Sequence, residues 1–305
     1  MMEEAKNIIT IATRGSDLAL WQAHFLQGEL KKIGRESKLL ILKTKGDIIQ
    51  HLSFDKIEGK GFFTKEIEDA LLNYDADIAV HSMKDLPTNS PEGLVVGAVS
   101  YRENPRDVLL IRKESKDESQ MLKMKTHAIV GTSSSRRKAQ ISHLKPDSVV
   151  KDIRGNVPGR INKLRTGDYD AILLAAAGIE RLKLDLSDLE VIHLHPREFV
   201  PAPAQGVLAF QCRSEDKAMR RVLKLIHNEE VARCTNVERG VLNMMEGGCH
   251  MPLGVYCEKD KLGNYHLHAA MATQLGQPLI KVSISQSTTD QLKEAAFNQL
   301  KEKLK

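Results

Sequence analysis

A chain of 305 residues, 41% apolar and 28% charged, is too long for one small module and too apolar for a disordered one, so two or three globular domains are expected. The 45 basic and 40 acidic residues leave a net charge of +5, which favours anionic ligands. The two signs are interleaved, however, aromatics are only 4%, and no zinc-finger or basic-zipper pattern is present, so nucleic-acid binding is not expected.

In chain order, Ile8 to Ala12 reads as a strand, and Leu18 to Ile33 as a helix stopped by Gly34, its apolar positions recurring at Leu20, Ala23, Leu26, Leu30 and Ile33. Leu39 to Leu42 is a second strand, Thr64 to Leu72 a second helix with Thr64 as its cap, and Ile78 to His81 a third strand. Between the second strand and second helix, Lys45 to Gly61 is a long polar segment with three glycines, the kind of connection that forms lids or stays disordered. After Leu94 to Val99, the stretch Arg102 to Asp107 reads as a connector into further strands at Val108 to Ile111, Ala128 to Val130, Val149 to Ile153 and Ala171 to Leu174. Helices at Ser135 to His143 and Val157 to Arg165 separate them. Strands alternating with helices imply parallel sheets. Pro196, Pro201 and Pro203 interrupt the pattern before a strand at Val207 to Gln211, so the chain crossings near residues 102 and 200 read as hinges. From Asp216 two helices, three strands (Pro252 to Glu258, Tyr265 to Met271, Leu279 to Ser285) and a last amphipathic helix from Asp290 signal a small α+β domain. No internal sequence repeat stands out.

The longest apolar stretch, Ala171 to Ile179, is too short to span a bilayer, and Glu3 and Glu4 stand where a secretory signal would be basic; a cytoplasmic protein without membrane partners is expected. Four cysteines, Cys212, Cys234, Cys249 and Cys257, form no Cys-x-x-Cys pair, so free thiols are the default. Cys249, His250, Cys257, His266 and His268 match no familiar zinc spacing, and no metal site is expected.

Chemistry concentrates at strand ends. Asp77 to Pro87 delivers Lys84 and Asp85 side by side after a short apolar run, where ligands of open α/β sheets bind; two solvated charges on a turn fit the same residues. Gly131 to Arg137 follows a strand and opens a helix, so free amides and the guanidiniums of Arg136 and Arg137 favour a carboxylate or phosphate, although a capped helix with solvated arginines fits too. Arg154 to Arg160 repeats the arrangement, and Arg14 follows the first strand. Arginines after strands in both units imply one anion-binding pocket for a ligand with several carboxylates. No serine elbow, Walker loop or dinucleotide fingerprint is present. Cys249 follows Gly247 and Gly248, a loop able to bring a thiol into a basic cleft that would lower its pKa; a buried, inert thiol remains the alternative.

Six segments stand in the order and spacing of one family: Ala12-Thr-Arg-x-Ser-x-Leu-Ala-Leu-Trp-Gln22, Gly59-Lys-Gly-x-Phe-x-Lys-Glu66, Ala76-Asp-Ile-Ala-Val-His-Ser-Met-Lys-Asp85, Gly131-Thr-Ser-Ser-x-Arg-Arg137, Arg154-Gly-Asn-Val157 and Glu246-Gly-Gly-Cys249. The chain thereby resembles the hydroxymethylbilane synthase, or porphobilinogen deaminase, family nearly end to end. That resemblance implies an α/β fold of two periplasmic-binding-protein-like domains with mainly parallel sheets plus a small C-terminal α+β domain, divided as 1–103 with 200–218, 104–199, and 219–305. It implies a cytoplasmic, monomeric transferase that deaminates and joins four porphobilinogen molecules on a covalent dipyrromethane cofactor and hydrolyses off hydroxymethylbilane. The resemblance makes Asp85 catalytic, gives the cofactor to Cys249, Lys84, Ser134, Arg136, Arg137, Arg154 and Arg160, and gives the substrate to Arg14, Ser16, Arg154, Arg160, Arg181 and Lys60. Gly15, Ser135, Pro158-Gly159, Ala204 and His250-Met251 depart from the family's usual residues and bear on positioning, that of Arg160 above all. A binding-protein-like sensor without catalysis shares the fold but has no use for Asp85 or for a thiol on a glycine hinge.

Overall fold

The computed structural model describes residues 8–44, 64–246, 251–273 and 276–304. The expected polar segment from Lys45 to Gly61, with Lys60, and the Cys249 motif lie outside the described residues. The chain divides into two compact units; of the described residues the first takes 8–44, 64–103 and 206–232, the second 104–205 and those from 233 onward.

In the first unit β1 (Ile8–Arg14) leads through the Ser16 cap into α1 (Asp17–Lys32), then β2 (Glu36–Leu42), α2 (Lys65–Leu72), β3 (Ile78–Ser82) and β4 (Leu94–Val99). β10 (Leu208–Arg213) and α6 (Lys217–Lys224) complete it from later in the chain. α1 is held at both ends: the Ser16 side chain accepts from the Ala19 amide, and Gly34, at a φ of 72°, lets the Arg35 amide return to the Leu30 carbonyl. The sheet order is β2-β1-β3-β10-β4, with β1 parallel to β2 and β3, and β10 antiparallel to both neighbours. Side chains alternate across it, so Ile9, Ile11, Ile78 and Phe210 pack with Leu26 and Leu30 of α1, while Ala12 and Ala79 pack with Ile67 and Leu71 of α2.

The second unit carries the same design. Its larger sheet is built from β5 (Asp107–Arg112), β6 (Ile129–Gly131), β7 (Val149–Lys151), β8 (Ala171–Ala175) and β9 (Leu189–His193), with α3 (Ser135–Leu144), α4 (Val157–Arg165) and α5 (Ala176–Leu182) between strands. Its order, β7-β6-β8-β5-β9, again places three parallel strands beside one antiparallel strand. One register device recurs. Asp77 before β3 donates its amide to the Thr10 carbonyl and accepts the Thr10 amide on Oδ2; Asp170 before β8 does the same with Ile129. The repeat that the sequence hides is therefore visible in topology and in paired aspartates.

The remaining sheet is antiparallel, β11 (Leu253–Lys259), β12 (Tyr265–Met271) and β13 (Ile280–Gln286), and shares a core with α7 (Glu229–Met244) and α8 (Leu292–Lys303). Two mainly parallel sheets and a small α+β part thus match the fold class read from the sequence. Two elements differ from expectation. The apolar run Ala171 to Ile179 is a strand passing into α5 without a turn, and β9 had no reading at all. Thr64 occupies the cap position of α2 but makes no capping bond; its hydroxyl donates to Glu68 instead. The expected boundary at 218/219 falls inside α6, whose Met219 and Leu223 are buried in the core of the first sheet. No described helix is long and apolar enough to cross a membrane.

Candidate active site

In the first unit the parallel neighbours β1 and β3 end side by side, which brings Arg14, the last residue of β1, and the turn after β3 to one edge of the sheet. That turn, Met83–Asp85, is a single 3-10 turn. Its apolar residues fix it: Met83 and Leu86 are buried, and the Met83 amide donates to the Val207 carbonyl at 2.9 Å. Lys84 and Asp85 lie between these anchors, Lys84 half-buried and Asp85 exposed. No described residue bonds or pairs with the Asp85 carboxylate. Ser16 is occupied as the cap of α1.

Behind Asp85, on the strand that leads into its turn, His81 is buried with Nε2 3.0 Å from Gln211 Oε1. The Gln211 amide nitrogen donates in turn to Glu68 at 3.1 Å, which leaves Oε1 as the acceptor and makes His81 Nε2 the donor. Burial pushes the His81 pKa down to about 4, against the smaller opposing effect of the Gln211 bond. The strand that presents Asp85 therefore has a neutral imidazole beneath it at ordinary pH.

In the second unit β7, β6 and β8 are adjacent and parallel, so Arg154, the start of α3 and the start of α5 share one sheet edge. Ser134 caps α3 by accepting from the Arg137 amide, and Ser133 ties the loop to β7's continuation through the Ile153 carbonyl and amide. Asn156 caps α4 by accepting from the Gly159 amide at 2.9 Å, with a proline in the first turn. A Cβ at residue 159 would meet Asn156 Oδ1 at 2.9 Å. The Pro158-Gly159 departure thus suits this cap: proline needs no amide partner at a helix start, and glycine admits the asparagine. Arg160 donates from Nε to the Gly155 carbonyl at 2.8 Å and is half-buried. Arg181 is buried on α5.

The sequence points Arg136 and Arg137 at an anionic ligand; the structure turns both onto a carboxylate of the protein. Arg137 donates from Nε and Nη2 to Asp107 Oδ1, at 3.1 and 2.7 Å, and from Nη1 to the Leu173 carbonyl. Arg136 Nη1 donates to Asp107 Oδ2 and to the Val200 carbonyl. Burial of Asp107 alone would raise its pKa, but the two guanidiniums outweigh it and hold the carboxyl well below the usual range. Asp107 is the residue that sequence reasoning missed. Its signal was an aspartate heading the apolar strand Val108 to Ile111, with two adjacent arginines elsewhere that need a counter-charge.

The Nε of Arg136 is buried and has no hydrogen-bond partner among the described residues. That orphan donor, with half-buried Arg154 and Arg160 on the same sheet edge, is the donor set a compact polycarboxylate requires, so the residues present fit a dipyrromethane. Cys212, Cys234 and Cys257 are buried and form no disulfide; burial pushes the Cys212 thiol up to about 11. His266 contacts Asp260 and Ser285, and His268 contacts Ser283. Ala204, one of the departures, holds a φ of 61°, and its amide donates to buried Glu238, which also accepts from the Cys257 amide.

Comparison with known proteins agrees along the chain. Residues 9–221 match the family described as porphobilinogen deaminase, dipyromethane cofactor binding domain, and residues 232–297 match the porphobilinogen deaminase C-terminal domain. The chain is 42% identical over 277 residues to the porphobilinogen deaminase of Nitratiruptor sp., covering 90% of this chain and 87% of that one. It is 40% identical over 292 residues to that of Chloroherpeton thalassium, covering 95% and 91%, and 45% identical over 252 residues to that of Maridesulfovibrio salexigens, covering 82% and 80%. Among solved structures, a double mutant of the Bordetella pertussis BvgS VFT2 domain aligns at 14% identity with a TM-score of 0.44, over 74% of this chain and 91% of that one.

Proposed function

The chain belongs to the porphobilinogen deaminase family, and from that premise we propose which of its residues carry the reaction. The enzyme joins four porphobilinogen molecules head to tail, releases ammonia at each addition, and hydrolyses the chain off as hydroxymethylbilane. Its dipyrromethane cofactor supplies, when bound, the nucleophilic carbon that starts the chain. We assign the covalent attachment to Cys249, and the cofactor's carboxylates to Lys84, Ser134, Arg154, Arg160 and the orphan Nε of Arg136. Arg137, whose guanidinium is engaged by Asp107 and the Leu173 carbonyl, serves that set by fixing Asp107 and through it Arg136.

Each pyrrole carries an acetate and a propionate, so negative charge accumulates as units are added. Arg14, Ser16, Arg154, Arg160, Arg181 and Lys60 bind those carboxylates, the guanidiniums through paired hydrogen bonds. Loss of ammonia breaks the C–N bond with its electron pair and leaves a positively charged pyrrole. Asp85 stabilises that cation by accepting from the pyrrole N–H. Formation of the new C–C bond passes the charge to the attacking ring, where Asp85 stabilises it in the same way until that ring's α-carbon gives up its proton to water and the ring becomes aromatic again. A fixed carboxylate acts strongly on charge that develops during the reaction.

One observation carries this assignment: the Asp85 carboxylate has no described partner, on a turn pinned by buried Met83 and Leu86. The test is Asp85→Ala under single-turnover conditions. Ammonia release is expected to fall by at least about a thousandfold, a loss of roughly 4 kcal/mol of transition-state stabilisation, while pyrrole intermediates stay bound through the arginines. Near-normal release removes Asp85 from the mechanism. We place the enzyme in the cytoplasm as a monomer acting on small molecules and not on nucleic acid. Its organisation is three domains, with the first carried past the expected boundary at 218 to the end of α6, whose Met219 and Leu223 sit in that domain's core: 1–103 with 200–224, 104–199 and 225–305.

A further inference from the structure

The first unit has a groove that contains none of the residues assigned above. It measures about 500 Å3 and lies between α6 and β4, with Val95, Val96 and Gly97 on one side and Lys217, Arg220, Arg221 and Lys224 on the other. β4 is an edge strand of its sheet. Positions 217, 220, 221 and 224 follow helical spacing, so the cations line one face over about 10 Å of helix. The opposite face buries Met219 and Leu223 in the core.

Of the four cations, Lys224 alone has an acid within ion-pair distance among the described residues. No acidic residue lines the groove. Asp216 caps α6 through the Met219 amide and pairs with Arg213, while Glu215 accepts the Tyr74 hydroxyl. Arg220 donates to the Ser214 carbonyl, Lys224 has Glu229 at 3.7 Å, and Lys217 and Arg221 have no side-chain partner among the described residues. Successive strand residues face opposite ways, and Val95 is the valine packed toward α6. Four exposed like charges around that apolar spot complement a ligand that has an apolar face and carries several negative charges at its rim. A phosphate or a short polyphosphate has the charge without the apolar face.

We propose that this groove is a second, non-catalytic binding site for an aromatic polycarboxylate of the pyrrolic class. The binding rests on the groove alone; only the pyrrolic identity of the ligand rests on the deaminase reading, because rings that each bear two carboxylates are what that reaction makes. A ligand there would be held by exposed ion pairs, which salt screens.

The test is a fluorescence titration of the full-length holoenzyme with an octacarboxylate porphyrin, uroporphyrin I, at low salt, beside K217Q/R221Q and K217E/R221E. All four cations are exposed, so the variants keep the core intact, and ammonia release from porphobilinogen is expected to be unchanged in both. The expected result is about tenfold weaker porphyrin binding, or one site fewer, in K217E/R221E, with a smaller loss in K217Q/R221Q; tenfold corresponds to about 1.4 kcal/mol. Tripolyphosphate is expected to compete poorly. Equal affinity and stoichiometry in all three proteins overturns the proposal and leaves the cations as guards of an edge strand. Competition by tripolyphosphate at the porphyrin's own potency overturns the aromatic assignment. Failure of the deaminase reading would appear separately, as absent ammonia release in the wild type.

Discussion

Asp107 accepts two hydrogen bonds from Arg137 on a single oxygen, Oδ1, from Nε at 3.1 Å and from Nη2 at 2.7 Å. The same oxygen lies 3.1 Å from Gln205 Nε2, and the other oxygen takes Arg136. One buried carboxylate therefore ties the head of β5 to the start of α3 and to the segment before β10. Removing its charge leaves two buried guanidiniums uncompensated. Asp107→Asn is expected to lower stability by about 3–5 kcal/mol, measured by urea unfolding at pH 7. The sign with pH follows from the depressed native pKa. The stabilisation is fully present above the ordinary carboxylate value of about 4 and is lost as pH falls below it, so the gap between wild type and variant should close in acid. A constant gap down to pH 3 would contradict the pairing.

His81 sets a second pH dependence. The unfolded chain binds a proton at its imidazole near pH 6.5, while the folded chain refuses one until about pH 4 because the ring is buried. Stability must therefore fall as pH drops from 6.5 towards 4. At pH 5 the loss amounts to about 2 kcal/mol relative to pH 7.5. His81→Gln keeps a donor for Gln211 and removes the titration, so its unfolding midpoint should change less over this range. Parallel curves for the two proteins would show that His81 is not the group responsible.

At Gly254 β11 passes close against the backbone of residues 200 and 201. A Cβ there would lie 2.4 Å from the Val200 carbonyl oxygen and 3.0 Å from that of Pro201, while the next residue, Val255, donates its amide to Pro201. Backbone atoms cannot swing aside as a side-chain end can. Gly254→Ala should cost about 2–3 kcal/mol through overpacking. It should also raise amide exchange at Val255 before global unfolding. An alanine variant as stable as wild type, with Val255 still protected, would show that the 200–201 segment can move.

Elements with clear periodicity were legible in the sequence. α4 and β12 fall on the residues predicted, and α1 is displaced by one residue at each end, because apolar spacing and end signals agree there. α5 was hidden because β8 runs straight into it through Ala175 and Ala176 with no capping side chain. The strand-end placement of Arg14, Asp85, Arg154 and the Arg136-Arg137 pair was also legible, since it follows from alternation alone. What those side chains touch was not. The Arg137–Asp107 pair spans 30 residues and the His81–Gln211 pair 130, and no local spacing encodes such partners. The paired aspartates Asp77 and Asp170 were each visible, but their equivalence appears only once both sheets are seen to share one strand order.

The cofactor assignment can be tested without turnover. A thioether survives denaturation and thiol reductants, whereas a noncovalent ligand or a disulfide adduct does not. Intact mass spectrometry of the denatured, reduced wild type should show an addition of two linked pyrrole units, and Cys249→Ser should lack it. Cys212 has its thiol raised to about 11 by burial, and Cys234 and Cys257 are buried. Alkylation needs a reachable thiolate, so Cys212→Ser, Cys234→Ser and Cys257→Ser should each retain the adduct. Loss of the adduct in one of these three, with Cys249→Ser still modified, would move the attachment point. A wild type that is unmodified yet releases ammonia at full rate would remove the covalent cofactor altogether.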